Sequence, residues 1–331
     1  MVNLAVLGIG YWGPNLLRNF SQLDGVTVAA VCDTDTSRLA YVHQQYPEPR
    51  LIEDYREVLA DSSIQAVAVA LPAKLHYKIA TEALQAGKHV FVEKPLALSS
   101  EECLQLIHVA EKNDKVLMVG HTFEYNAAVN VLKDEIQKGK LGEIFYINSQ
   151  RLNLGKIRQD VNVMWNLAPH DISIILYILQ QEPLAVSARG VSYIQDGIED
   201  VVFIDLVFES GVRAYVHVSW LDPVKVRRMT VVGSKKMAVY DDMEENKIAL
   251  YDEGIDKTDI GFSYRRGSTL FAEVNFLEPL NVECAHFIQC IADHQKPRTD
   301  GYDGLRVTRV LEAAQQSLEN NGEEVRLPPL C

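Results

Sequence analysis

Two side chains in this sequence have the chemistry to move a proton near neutral pH, Lys94 and His170. Lys94 closes the run His89-Val90-Phe91-Val92-Glu93-Lys94-Pro95-Leu96. Its β-branched and aromatic residues read as a buried parallel strand, and Pro95, with no N–H to donate, stops the ladder. Lys94 is thereby placed at the carboxyl end of a strand, the rim of an open α/β sheet where ligands bind. A lysine beside apolar walls loses hydration and basicity and becomes useful in proton transfer. The plainer alternative is a solvated lysine paired with Glu93. His170 follows Asn166 by four residues in Trp165-Asn166-Leu167-Ala168-Pro169-His170-Asp171, so one helical turn sets both on one face. An imidazole titrates near neutrality, which suits a general base. A capped structural histidine is the alternative, less favoured beside a strand-end lysine.

The third chemical feature is a phosphate cradle. Val2 to Leu7 is a short apolar strand, Gly8-Ile9-Gly10-Tyr11-Trp12-Gly13 follows at once, and Asn15 to Phe20 reads as helix. Gly8 allows the turn, Gly10 lets the backbone approach a pyrophosphate, and Gly13 lets helix and strand pack closely. The helix N-terminus offers free N–H groups to the phosphates. A second strand, Val26 to Val31, ends at Cys32-Asp33. Asp33 stands where a carboxylate bonds the adenosine ribose hydroxyls and repels a 2′-phosphate, so NAD is favoured over NADP. Arg38 keeps NADP open, and an N-cap ahead of Thr36-Ser37 is the structural alternative for Asp33. Ala66 to Leu71 is a buried strand stopped by Pro72, and Ala70, Leu71 and Pro72 are candidate cofactor contacts. His76 either touches the cofactor or caps the helix that follows.

These residues need a doubly wound frame. Leu51-Ile52 begins a short strand, Tyr55 to Ala60 a helix, and Ala73 to Ala86 a helix closed by Gly87. Ser99-Ser100-Glu101-Glu102 is a capping box for a helix to Asn113, and Val116 to Val119 is a sixth strand. Strand–helix alternation of this kind gives a parallel sheet with right-handed crossovers, a Rossmann domain over residues 1–122. From 123 to 331 the pattern changes. Ala127 to Gln137 is helical, Ile144 to Leu152 alternates as a strand, and a polar loop to Asp160 leads to an apolar helix, Ile172 to Leu179. The strand-like runs are Leu184 to Tyr193, Asp200 to Glu209, Val212 to Trp220, Arg227 to Val232 and Met237 to Tyr240, with a hairpin turn at Ser210-Gly211. Helices cover about Asn281 to Ala292 and Gly304 to Leu318, and the segment Tyr251 to Asn275 is too irregular to place. The second domain is an α/β unit on a large, open, mostly antiparallel sheet.

Bulk properties narrow the partners. The 331 residues exceed what one core usually serves, and 47% apolar with 23% charged is ordinary for a globular protein. A net charge of −13 argues against nucleic acid and anionic membrane. Against it, Arg151, Lys156 and Arg158, with Lys225, Arg227 and Arg228, are the candidates for holding a substrate's phosphates, the alternative being a solvated face. The start of the chain shows no basic leader or cleavage site, and no apolar run reaches membrane-spanning length. Cys32, Cys103, Cys284, Cys290 and Cys331 form no CxxC pair and no zinc spacing, so reduced thiols in the cytoplasm and no metal are expected.

The stretch VAVALPAKLHYKIATEALQAGKHVFVEKPLALSSEE, and within it AGKHV-x-x-EKPLA, resembles the signature of the Gfo/Idh/MocA family of NAD(P)-dependent oxidoreductases, and the resemblance extends over essentially the whole chain. It implies that Glu93-Lys94-Pro95 brackets the nicotinamide, that Lys94 touches the reacting hydroxyl, and that the second sheet forms a homodimer or homotetramer interface. His170 matches the histidine of the family's D-x-x-x-H motif. Asn166 replaces the aspartate, as in some nucleotide-sugar members, and an amide orients a hydroxyl but cannot relay a proton. Lys94 and His170 remain as acid and base, with His170 the first choice for base. GYWGPNLLRNF with WNLAPHDIS is similar to the branch that oxidises the 3-hydroxyl of UDP-N-acetylglucosamine or its uronic acid ahead of transamination. An inositol or free-sugar dehydrogenase, or a 3-ketosugar reductase, is the alternative within the family. A catalytically silent NAD-binding sensor is the alternative outside it, and intact Lys94 and His170 count against that.

Overall fold

A computed structural model describes residues 1–329, so Cys331 lies outside them. The chain divides into two compact units, residues 1–122 with 278–308, and residues 123–277 with the remainder.

The first unit runs β1 (Val2–Leu7), α1 (Gly13–Ser21), β2 (Val26–Cys32), α2 (Thr36–Gln45), β3 (Arg50–Ile52), α3 (Tyr55–Ala60), β4 (Ala66–Val69), α4 (His76–Gln85), β5 (His89–Glu93), α5 (Ser100–Lys112) and β6 (Leu117–Gly120). The strands pair in parallel in the order β3-β2-β1-β4-β5-β6. Strand order reverses between β1 and β4, which opens a crevice at their carboxyl ends. β4 and β6 are buried along their whole length, as strands covered on both faces must be. Ser99 caps α5 by accepting the Glu102 N–H at 3.1 Å, and the Glu102 carboxylate reaches back to the Leu98 N–H at 3.2 Å.

The second unit runs α6 (Ala127–Gln137), β7 (Ile144–Leu154), α7 (Val163–Leu179), β8 (Pro183–Val191), β9 (Val201–Phe208), β10 (Arg213–Ser219), β11 (Leu221–Gly233), β12 (Met237–Asp241), β13 (Ile248–Thr258) and β14 (Gly261–Phe271). The chain then supplies α8 (Pro279–Asp293) to the first unit, and α9 (Gly301–Glu319) and β15 (Val325–Arg326) complete the described residues. The sheet order is β14-β13-β12-β11-β7-β10-β9-β8-β15, antiparallel except for the parallel pair β7 and β10. One face packs under α7 through Val202, Ile204, Leu206, Ala214, Val216 and Val218, all buried.

Three details differ from the sequence expectation. The helix carrying His170 begins at Val163, not Ile172, because Asn162 caps it by accepting the Trp165 N–H and Pro169 is tolerated inside it. The stretch Ala73 to Ala86 splits into a 3₁₀ turn at Ala73–Leu75 and then α4. The segment from Tyr251, unplaced by pattern, lies in the long hairpin of β13 and β14, exposed along nearly all of β14. A strand wetted on both faces has no reason to alternate.

α8 is held in the first unit by packing at its core. Phe287 meets Phe20 of α1 and Phe91 of β5 edge to face, with ring centroids 6.3 and 5.8 Å away, and Phe20 and Phe91 are 6.2 Å apart. At its start Arg18 pairs with Glu278.

Candidate active site

In the first unit the glycine turn is shaped by what surrounds it. Gly8 has φ +94°, and a Cβ there would come within 2.7 Å of the Ala70 carbonyl and 2.9 Å of the Leu71 side chain. A Cβ on Gly13 would lie 2.0 Å from the Gly8 carbonyl, so helix and turn could not close. At Gly10, by contrast, only the Arg38 Nη1 comes within 4 Å, which leaves room for a ligand. No side chain caps α1 and Pro14 opens it, while the Asn15 N–H donates to the Trp12 carbonyl at 2.9 Å.

Asp33 fixes this turn to β2. Its Oδ2 accepts the Ile9 N–H at 2.7 Å and its Oδ1 accepts the Asp35 N–H at 2.9 Å, with the carboxylate buried. It is not the helix cap: Asp35 caps α2, accepting from Ser37 and Arg38. Arg38 lies 3.5 Å from Asp33 and 3.2 Å from Asp35, so its charge faces two carboxylates. Tyr11 is largely exposed and Trp12 half-exposed on the turn. Ala70, Leu71 and Pro72 follow β4 directly, across the crevice from Gly8. His76 is buried with both ring nitrogens against main-chain carbonyls, Nδ1 2.7 Å from Pro95 O and Nε2 2.8 Å from Leu71 O.

Glu93 ends β5, and Lys94 follows it, half-buried. Burial pushes the Glu93 carboxyl up to about 7, against the opposing pull of the Lys94 charge and of hydrogen bonds from the Lys94 N–H and the Trp12 side chain. The Trp12 contact links the glycine turn to the end of β5. α8 delivers Glu283, fully buried, whose Oε2 accepts the Thr122 hydroxyl at 2.7 Å. Burial first, and the nearby Glu93 charge second, push Glu283 well above the usual carboxylate range. His121 Nδ1 lies 2.7 Å from Asp303 at the start of α9. Glu283 and Asp303 escaped the sequence reading because they come from the far end of the chain, on helices whose pattern shows only an apolar face.

In the second unit α7 carries both Asn166 and His170. The Phe123 ring meets the His170 ring edge-on at 5.1 Å, and the Arg151 Cζ lies 4.6 Å from the Phe123 centroid. Asn166 Oδ1 accepts the Trp220 indole N–H at 3.1 Å. Arg151, expected to hold substrate phosphates, is already engaged within the fold. Arg151 is buried and donates to Asp171 at 2.6 Å through Nε and 3.4 Å through Nη2, while Ser149 donates to the same carboxylate at 2.7 Å. β7 presents this side chain to the covered face, where a free guanidinium would be costly. Arg158 is half-buried and pairs with Asp160 through two bonds of 2.9 and 2.7 Å. The two basic runs do meet, since Arg227 pairs in register with Arg151 and Arg228 with Gln150, leaving Lys156, Lys225 and Arg228 exposed.

Comparison with known proteins agrees with this architecture. Residues 2–121 match the family described as an oxidoreductase family with an NAD-binding Rossmann fold, and residues 129–239 match the Gfo/Idh/MocA C-terminal domain. The chain is 28% identical over 303 residues to the UDP-N-acetylglucosamine 3-dehydrogenase of Acidithiobacillus ferrooxidans, covering 91% of this chain and 92% of that protein. It is 25% identical over 329 residues to the myo-inositol 2-dehydrogenase of Thermotoga maritima, covering 96% of each. In fold it is similar to the aldose-aldose oxidoreductase of Caulobacter crescentus solved with glycerol, with a TM-score of 0.85, 22% identity, and coverage of 98% and 99% of the two chains. With both of its halves matched in order along the chain, the protein belongs to the Gfo/Idh/MocA family of oxidoreductases.

Proposed function

We propose that the protein oxidises a sugar secondary alcohol with NAD, the 3-hydroxyl of a UDP-N-acetylglucosamine-type nucleotide sugar, giving a 3-keto sugar for amino-sugar synthesis. The observation that carries the cofactor is the buried Asp33 carboxylate on the Ile9 N–H, beside an open Gly10. A 2′-phosphate would meet that carboxylate, and Arg38, already facing Asp33 and Asp35, is poorly placed to offset the repulsion. The 3-dehydrogenase relative, matched over nine-tenths of this chain, supports the substrate.

NAD bound at the glycine turn supplies a hydride acceptor. His170 takes the hydroxyl proton as the hydride leaves the carbon, and Lys94, kept positive, stabilises the developing alkoxide. Asn166 orients the substrate. Assembly is a homodimer or homotetramer through the second sheet, in the cytoplasm.

One observation favours a second reading within the family. Arg151 is held by Asp171, which removes a cation from the set expected to meet phosphates, and the inositol dehydrogenase relative covers 96% of this chain. An inositol or free-sugar dehydrogenase needs no phosphate site. NADH formation should be followed by absorbance with UDP-N-acetylglucosamine and its uronic acid, a trapping transaminase being present to pull an uphill oxidation forward. Product from either nucleotide sugar supports the first reading. Turnover of inositols with none of nucleotide sugars replaces it by the second.

A further inference from the structure

We infer that His76 is a positioning residue for Lys94, an imidazole set between the carbonyls of Pro95 and Leu71 that fixes the backbone on which Lys94 stands. The inference rests on the role given to Lys94 above.

The need for a brace follows from the local chemistry. The parallel ladder of β5 ends at Glu93, and Pro95 has no N–H. The segment carrying Lys94 follows the last ladder pair, Glu93 with Gly120. Pro95 is buried, so its carbonyl needs a donor from the protein. Leu71, half-buried, lies two residues beyond the last paired residue of β4. His76 reaches both, at 2.7 and 2.8 Å, from the first turn of α4. Leu71 also packs against Gly8, so the imidazole stands between the lip of the glycine turn and the Pro95–Leu96 peptide.

Each ring nitrogen faces a main-chain carbonyl. A neutral imidazole donates to only one carbonyl, whereas the imidazolium donates to both. Burial, the largest influence, together with the Lys94 charge outweighs the two carbonyls and shifts the ring toward its neutral form, so one nitrogen donates to its carbonyl and the other only faces one.

The test combines two readouts on His76→Leu and His76→Gln. The first is amide hydrogen exchange of the segment 93–98 followed by mass spectrometry, which needs no substrate. The leucine variant should exchange there about tenfold faster while β1 and β2 are unchanged. The second is turnover set against NAD affinity. A displaced Lys94 should lower kcat about tenfold or more, with the NAD Kd held within about threefold. Glutamine keeps an N–H donor and should recover part of both effects. Should the leucine variant fail to fold, His76→Asn, too short to span both carbonyls, takes its place.

Unchanged exchange of 93–98 would overturn the brace. So would faster exchange with wild-type kcat, or a glutamine variant as impaired as leucine while still folded and binding NAD. If the wild-type protein turns over none of the sugars offered, the substrate reading fails, and the exchange arm still decides whether the brace exists.

Discussion

Glu93 and Glu283 are two carboxyl groups in a place water does not reach, and their charge state has a consequence for stability. Both are pushed above the usual carboxylate range, chiefly by burial, Glu93 to about 7 and Glu283 well above its usual value, the latter also by the Glu93 charge. A carboxyl whose value is raised in the folded state holds its proton there when the unfolded chain has lost it. Its contribution to stability is full below the ordinary carboxylate range and is lost as pH rises through the folded value. Melting temperature should therefore fall between about pH 5 and pH 8 on account of this pair. Glu283→Gln should flatten that slope, because it removes one titrating group and the repulsion that burdens the other. Parallel melts of wild type and variant across that range cancel the titration of every other group, and equal slopes would discard the argument. The same corner of the molecule holds Lys94. Lys94→Ala should abolish turnover and leave NAD binding intact, since the glycine turn and Asp33 are built without it. Residual turnover within a few-fold of wild type, in a single-turnover assay with bound NAD, would remove the lysine from the chemistry.

At the scale of elements, α7 shows what the sequence could and could not say. The spacing of Asn166 and His170 on one helical face was legible, because four residues make one turn whatever lies around them. The helix start was not, because Pro169 reads as a stop in isolation and only the Asn162 cap shows where the turn begins. Strand ends of the first sheet were legible for a related reason: glycines and prolines terminate ladders by steric rule, so Gly8, Pro72 and Pro95 mark the rim directly. Burial of single charged residues was hidden, since a sequence does not say which face of β7 is covered. Arg151 looked like a surface cation and is instead buried on Asp171. The two readings of Arg151 separate in one experiment. Arg151→Met leaves Asp171 without its cation and Phe123 without its guanidinium, and should cost about 3–5 kcal/mol in denaturant unfolding. Replacing Asp171 by leucine as well should recover most of that loss. A stable Arg151→Met protein with a raised KM for a phosphorylated substrate would restore the phosphate-binding role.

For the whole molecule, the open face of the second sheet carries the remaining question. β9 and β10 alternate cleanly, with Val202, Ile204 and Leu206 turned to the covered side and Phe203 to the other. On that other side Phe203 stacks on His217 with centroids 4.1 Å apart and planes 15° from parallel, and Phe203 and Tyr215 are exposed. Tyr146 of β7, on the same face, is exposed as well. A monomer gains nothing by placing so many rings on an uncovered sheet, and a flat face of this kind suits an isologous contact with a second copy, each patch meeting itself across a two-fold axis. That physical argument agrees with what the family resemblance implies, and it can be tested without a substrate. Phe203→Glu with Tyr215→Glu places like charges opposite one another across such an axis, where each would lose its hydration. Sedimentation equilibrium should show the wild-type chain as a dimer or tetramer and the double variant as a smaller species. Both side chains point away from the covered core, so the variant should keep its fold and its NAD affinity. A monomeric wild type, or a variant that assembles as the wild type does, would leave these rings to another purpose and take the interface off this face.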